Sequence, residues 1–188
     1  MTDSIAWAVE VARNCLEAEF PRRWRHVQAV GAKAELLRPV FGDQADALVV
    51  SAWLHDVGYS SVAKDTEFHP LDGARYLQNL GVGFDVCCLV CNHSAAAEEA
   101  GLRGLADEQR FFPDDRSAVR DALWACDMTT SPIGLPVTFD ERLREIKERY
   151  GCQHTVPRAL TAAADEISAA IERTVASAKD KGIEFPGG

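Results

Sequence analysis

Four of the five histidines in this chain fall into one pattern with two aspartates: His26, the adjacent pair His55-Asp56, His69, His93 and Asp127. Imidazole with carboxylate is the usual ligand set of first-row transition metals. The pair His55-Asp56 closes an apolar run, Ala52-Trp53-Leu54. A charged dipeptide leaving a hydrophobic helix needs a partner, and a metal cation supplies one. The six side chains are therefore candidates to hold one or two divalent ions. Fe, Mn, Co, Ni and Zn all suit mixed nitrogen and oxygen ligands.

The elements that must position these residues read as helices almost throughout, with strand signals nearly absent. Ser4 or Asp3 can cap a first helix to about residue 19, and Pro21 suits the first turn of a second over 22–37. Asp43 is placed to cap a third over 44–57, apolar nearly all round and hence central. Further helices are expected over 70–80, 84–92 and 115–127, with 101–115 as loop or broken helix. The stretch 139–150 alternates charges like a solvated helix face, and a last long helix runs from Val156 or Pro157 to about 179. Residues 185–188 read as a frayed tail. The expectation is all-α: one domain over 1–188, a bundle of about seven or eight helices, with C-terminal helices over 138–180 packed on a motif region over 22–131. Helix ends in such a bundle can converge on one cavity.

Singly, each histidine or aspartate reads equally well as a core or helix-end residue; their order is what carries weight. It resembles the HD superfamily of metal-dependent phosphohydrolases: Arg22-Arg23-Trp24-Arg25-His26, then His55-Asp56-Val57-Gly58-Tyr59, then Asp127 before a Thr-Thr loop. The resemblance implies a helical bundle in which His26, His55, Asp56 and Asp127 hold a first ion. It also implies that His69 and His93 hold a second, with Asp56 able to bridge the two. Asn92 departs from the relatives, which often carry a second histidine there.

The implied chemistry is hydrolysis of a nucleotide or other small phosphate ester, with Asp56 or Asp127 orienting the attacking water. Bound ions would make hydroxide available near neutral pH and offset charge on the phosphoryl oxygens. Lys64 is the first candidate for the substrate's remaining charge and a catalytic contributor, with Arg25, Arg22 and Arg103 as further substrate-binding candidates. No glycine-rich phosphate loop is present. Two rivals share the ligand set: an HD-type di-iron oxygenase, and a non-catalytic helical module with a structural metal.

Bulk properties are ordinary for a soluble globular protein. The chain has 188 residues, 47% hydrophobic and 26% charged, and its net charge of −9 disfavours a nucleic-acid polymer as partner. No run reaches the ~20 apolar residues of a membrane span. The acidic N-terminus is not a targeting peptide, so a cytoplasmic location and no membrane partner are expected. A homodimer is compatible with the sequence. The six cysteines, Cys88 and Cys91 among them, read as buried free thiols, and His154 as structural or exposed.

Overall fold

The computed structural model describes residues 4–188, which form twelve α-helical segments and no strand ladder, only an isolated bridge between Thr130 and Pro136. α1 (Ile5–Leu16) starts where the Ser4 hydroxyl accepts the Trp7 amide at 3.2 Å; Asp3, the alternative cap, lies outside the described residues. α2 (Pro21–Leu36) carries its proline at the first position, where a missing N–H costs nothing. α3 (Arg38–Phe41) is one turn. α4 (Ala45–Leu54) follows a 3-10 turn at Gly42–Gln44, which absorbs Asp43, so the expected aspartate cap is not made.

The chain continues through α5 (His69–Asn79), α6 (Phe84–Cys91), α7 (Ala96–Arg103), α8 (Ala106–Gln109) and α9 (Ala118–Met128). α10 (Phe139–Tyr150) opens on a full capping box between Thr138 and Glu141. α11 (Thr155–Ala162) and α12 (Ala164–Asp180) replace the single long helix expected there. The helix count exceeds seven or eight for three reasons: α3 and α8 are single turns, the 101–115 region holds real helix at its edges, and the last helix divides at Ala163. That division lets α11 cover α7 while α12 lies along α9, so packing overrides local propensity.

α4 is the centre, as its all-round apolarity predicts. It packs on α1, α2, α6 and α9. Leu48, Val49 and Ala52 join a core with α9 and α12, while Val50 and Leu54 join a second with α1, α5 and α6. The tail does not fray: Phe185 is buried, Lys33 lies 5.3 Å from its ring centroid, and Gly187 closes on the Val137 and Thr129 carbonyls. No helix among the described residues is long and apolar enough to cross a membrane.

One contact sets the distance between the two halves of the histidine pattern. The 3-10 turn Val57–Tyr59 lies against α5 so closely that a Cβ on Gly58 would stand 2.0 Å from the His69 carbonyl oxygen and 2.6 Å from the Gly73 nitrogen. Both obstacles are backbone, so nothing nearby can rotate aside. Gly58→Ala is expected to destabilise the fold by about 1–3 kcal/mol or more, as overpacking does. It should also weaken metal uptake by separating Asp56 from His69; urea unfolding and metal titration of the same variant check both.

Candidate metal centre

Five helices deliver the six side chains. His26 leaves the second turn of α2, His55 is the C-terminal cap of α4, and Asp56 is the residue after it. His69 is the first residue of α5, His93 follows the Asn92 cap of α6, and Asp127 lies in the last turn of α9. All converge. His26 Nε2 is 2.9 Å from Asp127 Oδ1, and His55 Nε2 is 3.3 Å from Asp56 Oδ2 and 4.0 Å from Asp127 Oδ1. On the other oxygen of Asp56, His69 Nε2 stands at 3.5 Å and His93 Nε2 at 3.9 Å. Two sets result, His26-His55-Asp56 and Asp56-His69-His93, each with its ligand atoms within 4.8 Å of one another.

The donor set fits transition ions. His26, His55 and His93 each set Nδ1 against a backbone carbonyl, of Ser131 (3.1 Å), Ala52 (2.8 Å) and Val90 (2.6 Å). A carbonyl only accepts, so in neutral His93 the hydrogen sits on Nδ1 and the lone pair on Nε2; His26 has an acceptor at each ring nitrogen, the Ser131 carbonyl and Asp127, and binding an ion through Nε2 would replace its bond to Asp127. His55 Nε2 is buried without a hydrogen-bond partner. His69 Nε2 and His93 Nε2 approach to 3.1 Å. Two ligands bound at about 2.1 Å and at right angles on one ion stand about 3.0 Å apart, so these separations are those of neighbouring ligands. The structure thus supports a cluster able to hold a metal ion, with Asp56 shared between two sets.

Electrostatics agree. Burial pushes the Asp56 carboxyl up, but Arg23 and then His55 outweigh it and hold its pKa well below the usual carboxylate range. Burial opposes ionisation of Asp127 too, and the His26 bond and neighbouring rings reverse that. Burial lowers the pKa of His26 and His93. It lowers His69 further, helped by His93. His55 also suffers burial, yet Asp56 outweighs it and lifts the pKa to about 9. Two ionised carboxylates in a dry cavity draw in positive charge, and His55 carries it as a proton when no metal competes.

Around the ligands stand residues absent from the expected site. Arg23 Nη1 donates to Asp56 Oδ2 at 2.5 Å, its guanidinium lies 3.7 Å from the Tyr59 ring centroid, and Tyr59 stacks on His69 at 4.0 Å. Ser94 Oγ donates to Asp127 Oδ2. Ser94 and Ala95 both take left-handed backbone, φ 52° and 58°, which costs non-glycine residues energy and clusters at functional sites. A cavity of about 60 Å³ opens here, lined also by Arg142, Ile146, Arg149 and Tyr150 of α10.

The expected substrate cations need correction. Lys64 is exposed and pairs with Glu67 at 3.0 Å, outside the cavity lining, because its loop turns outward from the Asp56 face. Arg25 is exposed, since burying His26 turns its neighbour about 100° away. Arg103 donates to Glu99 at 2.6 Å and so stands one residue behind the lining. Arg22 misses this cavity and lines an adjoining concavity. The cations at the ligands are Arg23, three residues before His26, and Arg142 and Arg149. The last two were hidden in the charged stretch read as solvated; with Ile146 they form an i, i+4, i+7 stripe, the signal that could have found them.

Asn92 is committed elsewhere: its amide donates to the Cys88 and Phe112 carbonyls (2.9 and 2.8 Å) and accepts from Gln109. The six cysteines are free, and burial pushes the Cys88 thiol up to about 11 and Cys91 up to about 12. His154 is exposed and caps α11, accepting the Val156 amide at 3.3 Å. No family model, curated protein or solved structure matches this chain.

Two outcomes follow from the geometry. Because His55 must give up its proton to bind metal, uptake near neutral pH should release about one proton at that ring. Apparent affinity should then rise with pH until about 9, read by calorimetry in buffers of different ionisation enthalpy. Ser94→Ala removes the hydroxyl that orients Asp127 and should weaken metal binding by about 10-fold or more, in the range for outer partners of metal ligands, as an equilibrium titration would measure.

Proposed function

We propose that the chain is an HD-type, metal-dependent phosphohydrolase acting on a small phosphate ester. The carrying observation is the sharing of Asp56: its two oxygens face separate histidine pairs, and Asp56, Asp127 and the pair His69-His93 border a cavity lined by Arg23, Arg142 and Arg149. His26, His55 and Asp56 with Asp127 would hold one ion, and Asp56, His69 and His93 the other. Bound there, such ions supply activated water near neutral pH and offset charge gathering on phosphoryl oxygens.

The rest is done by the chain. Ionised Asp56 and Asp127 accept hydrogen bonds from water entering the cavity and orient its oxygen. Arg23 neutralises part of their charge, and Arg142 and Arg149 in the same lining add the positive charge an approaching anion needs. Tyr59 keeps its proton because burial pushes its pKa up, and the stack on His69 fixes that ring's plane. The cavity's ~60 Å³ admits about four or five water-sized groups, room for a phosphoryl group with solvent. The arginines favour a substrate of fixed negative charge, for which guanidinium gives two-pronged contact.

Full-length protein given manganese or nickel should release phosphate from a chromogenic monoester at a rate indifferent to dissolved oxygen. Asp56→Asn should lower kcat by about 100-fold or more, in the range of losing a main electrostatic contributor. Tightly retained iron with oxygen uptake on substrate addition would instead establish the oxygenase, and bound metal with neither activity would leave a structural site.

A further inference from the structure

Beside the metal cavity lies a second concavity of about 310 Å³, and the two share Arg23, Arg142 and Arg149. His26 and Arg22 also border it, and Pro132 closes one wall. Among the described residues no carboxylate lines it. Four guanidiniums therefore meet around one small volume in a chain whose net charge is −9. Of the acidic groups nearby, Glu145 serves two of them, accepting from Arg142 at 2.8 Å and lying 3.4 Å from Arg149, while Asp56 serves Arg23.

Arg142 is only 6% exposed and is held in place by Glu145. Its unpaired Nε is sealed inside the protein and costs the fold roughly 1–3 kcal/mol, so what the concavity offers is the grouped charge of its four guanidiniums. Arginine's fixed fork matches phosphate oxygens and stays charged at any working pH. The inner cavity has room for one phosphoryl group, and a neighbouring group on the same substrate that extends past the shared arginines enters the outer concavity.

We propose that this outer concavity receives a second phosphoryl group, making the substrate a compound with two adjacent phosphoryl groups, the reacting one inside and its neighbour held by Arg22, Arg142 and Arg149. Which group reacts rests on the hydrolase reading; the outer anion site does not. The shared arginines span both volumes, so the two anions sit next to each other rather than at the ends of a long molecule.

The test uses the full chain loaded with manganese, with free manganese held in constant excess. Inorganic phosphate and imidodiphosphate, whose P–N–P bridge resists hydrolysis, are titrated by calorimetry into the unsubstituted protein, Arg22→Gln and Arg149→Gln. Chelation in solution is the same for every protein and cancels in the comparison. Both substitutions lie at exposed or part-exposed side chains, so folding is preserved where buried Arg142 would put it at risk. Arg22→Gln, which borders only the outer concavity, should weaken imidodiphosphate by about tenfold, the loss of a charge-assisted contact, and leave phosphate within about twofold, whereas Arg149→Gln, which lines both volumes, should weaken both probes. Equal weakening of both probes by Arg22→Gln, or no weakening of either, overturns the proposal. A selective loss without ester hydrolysis under any metal would retain the anion site and sink the hydrolase reading; hydrolysis without selective loss does the reverse.

Discussion

Two ionised carboxylates inside a helical core are the constraint that shapes this protein. Asp56 is 2% exposed and Asp127 4%. Charges so placed lose hydration worth several kcal/mol each and persist only where positive charge and hydrogen bonds replace water. Every feature near them answers that demand. Arg23 reaches Asp56, Ser94 and His26 reach Asp127, and four imidazoles turn their Nε2 atoms inward. Three of the rings, His26, His55 and His93, are oriented by backbone carbonyls at Nδ1, which leaves Nε2 turned toward the carboxylates. A proton on His55 completes the balance poorly, since three other imidazoles have their pKa lowered and stay neutral. A divalent cation completes it well.

The scaffold keeps this arrangement from relaxing. α4 is buried on all sides and ends at His55, so the pair cannot swing out without opening two cores. Gly58 locks the following turn against the start of α5, which brings His69 in. The left-handed Ser94-Ala95 step bends the chain between α6 and α7, so that His93 and Ser94 both face α9. Strain at such a step persists because the surroundings fix it from several sides. Here the Trp124 indole donates to the Asn92 carbonyl at 2.8 Å, and Asn92 itself is bonded through three partners.

Much of this was legible in the chain. Residue type and order singled out the six converging side chains, and the all-round apolarity of Leu48 to Leu54 marked α4 as central. The arginines were not legible in the same way. Arg142 and Arg149 sit among Glu141, Arg144, Glu145 and Glu148, where alternating charge normally means solvent on every face; only the intervening Ile146 breaks the pattern. Lys64 looked suitable because it follows the His-Asp pair closely, but sequence proximity does not determine which way a loop turns. The break at Ala163 has no glycine or proline to announce it, and Ser94-Ala95 is left-handed without the glycine or asparagine that usually allows it. Such features come from packing between distant segments, which local pattern does not encode.

The segment 129–137 shows how the metal cluster and the arginine cover are held in one register. Lys33 donates to the Thr129 carbonyl and hydroxyl at 2.6 and 2.7 Å, at the C-terminal end of α9 where carbonyls favour a cation. Burial lowers its pKa to about 8, a cost the helix end helps to offset. The same Thr129 carbonyl accepts the Val137 amide at 3.0 Å, and the Ser131 carbonyl two residues on faces His26 Nδ1 at 3.1 Å and orients the ring. Val137 leads directly to the Thr138 cap, so the first turn of α10 is placed by the last turn of α9. Arg142 comes one turn later and faces the cavity that Asp127 borders. A shift in this loop would therefore move His26, Asp127 and Arg142 together, which makes the ligand cluster and its anion-facing side a single mechanical unit.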